Sequence, residues 1–217
     1  NFTVDPLDFF PPEILSKIIE NFSGVDFLTA STLSSSWNYY IVNSKEFKRK
    51  ITVKITCKGN QEESCEQVLE GLMESDRKYQ NLHLECCAFC LYKISPFLLK
   101  QEFKCINVSK TSFINSMQAV DFFSKIQSVE ELEMSEVFIK YPYFDGKDKG
   151  LQFSKLKSFK SRNIQSFLYH DIFNNLTSLE HLSIACHDLN MASLNILMKF
   201  ITFNTKLKVF EISGCIF

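Results

Sequence analysis

The chain has 217 residues, 45% of them hydrophobic, and a formal net charge of −1. That length fits one or two domains, and so balanced a charge gives no general attraction to nucleic acid or acidic membranes. With 22 Phe against 6 Gly and 5 Pro, the composition excludes a disordered or linker-rich chain, and no apolar run reaches the roughly 18 residues that a membrane span needs.

Residues 1–9 read as a short polar lead-in with no signal-peptide pattern, and the start at Asn1 rather than Met leaves room for a preceding segment. Pro11 and Pro12 then suit the first turn of a helix, where a missing backbone N–H costs little. Ile14, Leu15, Ile18, Ile19 and Phe22 follow at helical spacing and form an apolar stripe, which Asn21, Ser23 and Gly24 bring to a stop. A second short helix is predicted from near Asp26, carrying Phe27, Leu28 and Ala30 toward Leu33. A third starts at a Ser34 or Ser35 cap, with Trp37, Tyr40 and Ile41 on one face. Three short helices over some thirty residues cannot bury so many large apolar groups among themselves, since chains below about 40 residues rarely hold a core alone. Each exposed Leu- or Phe-sized side chain forfeits roughly 1.5–3 kcal/mol. The surplus therefore docks on the rest of this chain or on another protein.

The same residues resemble an F-box, with a proline and a glutamate opening a helix of paired apolar positions and an acid–apolar step and a tryptophan downstream. Phe10, Pro11, Glu13, Ile14, Leu15, Ile18, Ile19, Phe22, Asp26, Phe27, Leu33 and Trp37 fall in that register without a gap. Phe10 replaces the usual opening leucine, and Ser34, Ser35 and Ser36 stand where basic residues precede the tryptophan. The resemblance implies that Phe10, Pro11, Ile14, Leu15, Ile18, Phe22, Leu28, Leu33 and Trp37 dock on a Skp-type adaptor.

After a basic stretch at 45–50, the alternation of Ile51, Val53, Ile55 and Cys57 predicts a strand that joins the helices to the remainder of the chain. Gly59 and Asn60 break it, and 62–74 reads as a helix with Val68, Leu69 and Leu72 inward. A period then appears. Tyr79, Leu82, Leu84 and Cys87 follow L-x-x-L-x-L-x-x-C, and copies begin at Phe103, Val129, Leu156, Leu179 and Leu207. Steps of about 23 to 28 residues lie within the leucine-rich-repeat range. Each unit places a short strand and then returns the chain through a helix-like segment, at 88–100, 116–126, 167–176 and 192–203; the third return, 141–150, has turn composition instead. One unit cannot cover its own apolar side, so units stack. The repeats resemble the cysteine-containing leucine-rich class, from which Val137, Ile164 and His187 depart at the Cys/Asn position. The chain ends on a strand-like segment without a closing cap, so it reads as a fragment.

The expected fold is α/β: a three-helix F-box over 1–44, a connecting strand and helix over 45–78, and about six repeats over 79–217. These form a right-handed leucine-rich-repeat solenoid with parallel strands on the concave face and helices on the convex one. Neighbouring strands lie about 4.8 Å apart, so the outward Glu130, Glu131, Glu133 and Glu136 of one repeat should stand beside Lys157, Lys160, Arg162 and Asn163 of the next. Cross-strand pairing alone would account for them, at about 0.2–1 kcal/mol each. The concave surface is nevertheless the predicted target-binding side, through Asn107, Glu131, Glu133, Lys157, Lys160, Arg162, Ser183 and Glu211.

Enzymatic readings are weak. His83, Cys86, Cys87 and Cys90 hold half of a zinc pattern, with no second pair at suitable spacing. No nucleophile elbow, phosphate loop or H-E-x-x-H occurs, so no metal, cofactor or small molecule is expected. Eight cysteines, mostly in apolar strand-like segments, fit reduced thiols in the cytoplasm or nucleus. Four glycosylation sequons, at Asn1, Asn21, Asn107 and Asn175, read as chance matches, since three fall in predicted helix or strand. What the resemblance implies is a non-catalytic substrate receptor of a Skp–cullin–F-box ubiquitin ligase, with the adaptor, through it the cullin, and a protein target as partners. The alternative is a leucine-rich-repeat interaction module whose helices only cap the solenoid.

Overall fold

The computed structural model describes residues 6–57, 62–75, 77–141, 153–162, 176–185 and 191–214. The N-terminal layer is helical: α1 (Pro6–Phe9), α2 (Pro12–Glu20), α3 (Gly24–Ala30), α4 (Ser35–Asn43) and α5 (Lys45–Lys50). Serines start three of these helices. The Ser23 hydroxyl accepts from the Asp26 N–H at 3.3 Å while the Ser23 N–H donates to Asp26 Oδ2 at 2.7 Å, a capping box. Ser34 and Ser44 cap α4 and α5, their hydroxyls accepting from the N–H groups of Trp37 and Phe47 at 3.1 Å each. Lys50 Nζ closes the far end of α2 by donating to the Phe22 carbonyl at 3.0 Å and to that of Glu20. The stretch 45–50, expected only as a basic connection, is thus a helix. It has one apolar residue and so no stripe to read, but that residue, Phe47, is fully buried.

Leu15, Ile19, Phe27, Ala30, Trp37, Ile41 and Phe47 make the core of the helical layer. Aromatic contacts carry it into the rest of the molecule, with Phe22, Phe27, Phe47 and Tyr79 in succession at centroid separations of 5.6, 5.8 and 6.0 Å. The helices and the sheet therefore share one continuous core.

Among the described residues the sheet has seven parallel strands laid down in chain order: β1 (Thr52–Thr56), β2 (Asn81–Glu85), β3 (Cys105–Ser109), β5 (Glu131–Ser135), β7 (Ser158–Ser161), β8 (His181–Ala185) and β9 (Val209–Ser213). After β1, each strand starts two residues beyond one of the predicted repeat starts. Two ladders of side chains cross the whole sheet in register. One runs Val53, Leu82, Ile106, Leu132, Phe159, Leu182, Phe210, and the other Ile55, Leu84, Val108, Met134, Ser161, Ile184, Ile212. Both are buried from β1 to β8; at β9 the sheet stops, and Phe210 and Ile212 are each 40% exposed.

Helices α6 (Glu62–Glu74), α7 (Ala88–Lys100), α8 (Ser116–Ser124) and α9 (Met191–Phe203) lie between strands in the chain. In α6, Leu69 is buried, but Val68, expected inward, is exposed; one residue turns a side chain by about 100°, which carries it off the buried face. A smaller parallel pair, β4 (Ser112–Asn115) with β6 (Phe138–Tyr141), follows β3 and β5. The chain turns into this pair through left-handed residues, Lys110 at φ 46° and Glu136 at φ 54°, and Gly214 holds the same place after β9 at φ 74°. Thr111 fastens the first of these turns, donating to the Ser109 carbonyl at 2.8 Å and accepting from the Cys86 N–H at 3.2 Å. At the end of β2 the buried thiol is Cys86; Cys87, expected at the repeat turn, is exposed and precedes α7. The expected return at 167–175, the turn-rich 142–150 and repeat positions 164, 187, 189, 215 and 217 lie outside the described residues, as does Asn163.

Candidate functional site

The helical layer presents two opposed sets of apolar groups. Along α2, Leu15 and Ile19 point inward and are buried, whereas Ile14 and Ile18 stay exposed, Ile14 at 41%. Adjacent helical positions diverge by about 100°, so a stripe five apolar residues wide serves two surfaces at once. Phe10 packs edge-to-face on Phe9 at 5.3 Å, both rings exposed. Leu28 on α3 and Leu33, 66% exposed, lie beyond it, and Pro11 is exposed as well. Of the nine residues expected on the docking face, Phe10, Pro11, Ile14, Ile18, Leu28 and Leu33 are accessible. Phe22 is half-buried against Phe27. Leu15 and Trp37, 3% and 8% exposed, are part of the inner core, because the face of α4 that carries Trp37 also carries Ile41 and is the one turned to the layer beneath. Val25 and Tyr39 are exposed too, at 72% and 74%; neither shares a stripe with the others, which is why periodicity passes them over. The serines standing where basic residues were expected have a local role, since Ser34 caps the helix that holds Trp37.

The second surface is the strand face opposite the helices. Glu133 lies beside Lys160 in the register of β5 and β7, and Arg162 Nη2 comes within 3.9 Å of Glu133 Oε1. Asn107, Glu131, Glu133 and Lys160 line one groove there; Lys160, Ser183 and Glu211 line the next, and Arg162 joins Glu133, Ser183 and Glu211 in a third. The buried side-chain oxygen of Asn107 has no hydrogen-bond partner among the described residues.

Lys157 belongs to a different row. It is the residue just before β7, and the equivalent residues before β3, β5, β8 and β9 are Lys104, Glu130, Glu180 and Lys208. Each of the last four strands is joined to its predecessor at this point by a backbone N–H to carbonyl bond of 2.8 Å. The side chains alternate in sign: Lys104 is 3.8 Å from Glu130, Lys157 2.9 Å from Glu130 and Lys208 2.8 Å from Glu180. Hydrogen bonding from Lys157 holds the Glu130 carboxyl below its ordinary value, Lys208 does the same for Glu180, and Glu130 in turn raises the Lys157 ammonium.

The histidine and cysteines considered as metal ligands do not converge. His83 Nε2 meets Ser109 Oγ at 3.2 Å and Glu85 Oε1 at 3.5 Å, while Cys86 Sγ lies 3.4 Å from Cys57 Sγ and Cys87 Sγ 3.4 Å from Cys90 Sγ. No cluster of three or more His, Cys, Asp or Glu suited to a metal occurs among the described residues. Burial works against ionisation of Glu85, but hydrogen bonds from His83 and Ser109 with the charges of Lys54 and Lys110 hold its carboxyl below the usual range. Burial, then the neighbouring Glu131 and Glu130, push the Cys105 thiol up to about 11, so it is not a thiolate nucleophile at neutral pH. No described helix is long and apolar enough to cross a membrane.

No curated protein matches the chain at a significant level. Residues 7–49, which span the exposed helix face and the serine caps beneath it, match the F-box domain family.

Proposed function

We propose that the chain is the substrate-recognition subunit of a Skp–cullin–F-box ubiquitin ligase, acting in the cytoplasm, the nucleus or both. The carrying observation is that the stretch matching the F-box domain leaves Phe10, Ile14, Ile18, Leu28 and Leu33 in water, although its own core is complete. Exposed apolar groups gathered on one short segment mark a protein interaction surface. F-box domains bind Skp-type adaptors, and this face is the adaptor site, with Phe22 at its margin. Leu15 and Trp37 support it from behind by fixing α2 and α4.

The parallel sheet with its returning helices is read as a leucine-rich-repeat solenoid, and its open strand face as the concave target surface. Strand starts that follow the 23–28-residue period support that reading. Asn107, Glu131, Glu133, Lys160, Arg162, Ser183 and Glu211 lie along its grooves, with Lys157 at the edge. F-box proteins are typically non-catalytic subunits; the work is to hold a target near the ubiquitin-loaded enzyme, a gain in proximity. A second reading, the interaction module without a ligase, draws support from the shared core at Phe47 and Tyr79, since the helices do cap the sheet.

Co-expression with a Skp-type adaptor separates the two. The chain is expected to co-purify with the adaptor as a stable complex, and Ile14→Asp with Leu33→Asp to abolish it while far-ultraviolet dichroism and thermal unfolding stay near the parent. Failure of the parent chain to hold any adaptor would leave only the capped interaction module.

A further inference from the structure

A cleft of about 580 Å³ opens at the edge of the sheet where the strands begin, next to the alternating charge row but not part of the open strand face. Among the described residues five lysines line it, Lys48, Lys78, Lys100, Lys104 and Lys155, against two carboxylates, Glu102 and Glu130. Two of the lysines are held in place: Lys78 Nζ donates to the Lys100 carbonyl at 3.0 Å, and Lys100 Nζ to those of Ser75, at 2.9 Å, and Met73. Carbonyl dipoles fix these ammonium groups without cancelling their charge. Glu130 has little left to offer, because Lys157 engages it at 2.9 Å and Lys104 approaches it at 3.8 Å. Among the described side-chain hydrogen bonds, none occupies Lys48 Nζ or Lys155 Nζ. The positive excess is local, in a chain whose formal net charge is −1, so it is not the spread of charge that a nucleic acid backbone selects.

We propose that this cleft holds an Asp/Glu-rich segment of a protein partner, running along the strand-start edge. Lys48 belongs to α5, Lys78 and Lys104 precede β2 and β3, and Lys155 precedes β7 two strands further on; charges spread over layers that step by about 4.8 Å suit a run of carboxylates better than one compact dianion. No arginine lines the cleft, so the bidentate fork that favours a single phosphate is missing. Leu99, 68% exposed at the cleft wall, gives the segment an apolar contact between its charges. The site is independent of adaptor docking, which a different assay reads.

The test is fluorescence anisotropy on the full chain with three labelled peptides: six glutamates flanking a leucine, the same peptide with glutamine for glutamate, and a glutamine peptide carrying one phosphoserine. The glutamate peptide should bind, and its affinity should fall severalfold as salt rises from about 0.05 to about 0.3 M, since screening shortens the reach of exposed charges. Lys48→Glu with Lys155→Glu should weaken it at least tenfold. Lys48→Gln with Lys155→Gln, which adds no new repulsion to the fold, should weaken it severalfold. Lys199→Glu with Lys206→Glu, exposed residues that do not line the cleft, should leave it unchanged. Equal binding of the glutamine peptide, tighter binding of the phosphoserine peptide, equal loss in the Lys199 and Lys206 variant, or no binding at all would each overturn the proposal.

Discussion

The helical layer and the sheet treat water in opposite ways. On the sheet, the side facing away from the helices carries polar groups, some of which answer one another, as Glu133 with Arg162, or His83 with Ser109 and Glu85. On the helices, apolar groups face out: Ile14, Ile18, Leu28 and Leu33 stand exposed while Leu15, Ile19, Phe27 and Trp37 are buried. A surface whose groups are already paired is stable uncovered and can be selective about what it meets. A surface of exposed aliphatic groups gains roughly 1.5–3 kcal/mol for each one covered, so it is built to be occupied. The same chain thus holds one face that tolerates solitude and one that does not.

The contrast is sharpest between one residue of the inner set and one of the outer set. Trp37→Ala, in the inner set, should cost about 3–5 kcal/mol by opening a cavity under α4, visible as a lower urea midpoint for the whole molecule because the core is continuous. Ile18→Asp, in the outer set, should leave that midpoint nearly unchanged yet reduce adaptor affinity more than a hundredfold by calorimetry. If Ile18→Asp instead unfolds the chain, the outer face is not a docking face.

Acid probes a different part of the comparison. Asp26 is held below its ordinary value by the Ser23 hydroxyl and N–H, Glu130 by Lys157 and Glu180 by Lys208. Groups whose folded-state values are depressed stabilise the fold fully above their unfolded values, near 4, and lose that contribution as pH falls through the folded values. The unfolding midpoint should therefore be level from neutral pH down to about 5 and decline below about 4. Asp26→Asn should flatten part of that decline. Smallest of all, Glu130→Gln should cost about 0.5 kcal/mol, and less in 1 M salt, because its partners are exposed and screened.

Much of the frame is legible in the sequence because burial imposes a period. A strand covered on one side must repeat its apolar residues every second position, and a unit that stacks must repeat as a whole, so the placing of β2, β3, β5, β7, β8 and β9 follows from the recurring apolar residues. The return at 88–100 coincides with α7, and that at 116–126 ends two residues early, at Ser124. What escapes is whatever burial does not mark. The strands β4 and β6 are four residues long and mostly unburied, too short to show alternation. Helix α5 rests on one phenylalanine. The apolar surplus is legible but not its orientation: Ile14, Leu15, Ile18 and Ile19 are chemically alike, and only the packing of α2 decides that the first and third look out while the second and fourth look in. Trp37 escapes differently: the face of α4 that it shares with Ile41 is apolar whichever way it turns, and packing puts it inward.

The strand-start row, positive, negative, positive, negative, positive from Lys104 to Lys208, repeats only every two units. Losing a single unit would bring like signs together; removing the one with Lys157, for instance, would seat Glu130 next to Glu180. Losing or duplicating two units at a time keeps opposites adjacent. An array of this kind can change length without penalty along that edge only in even steps, so its charges record a parity that its buried ladders, which carry no sign, do not.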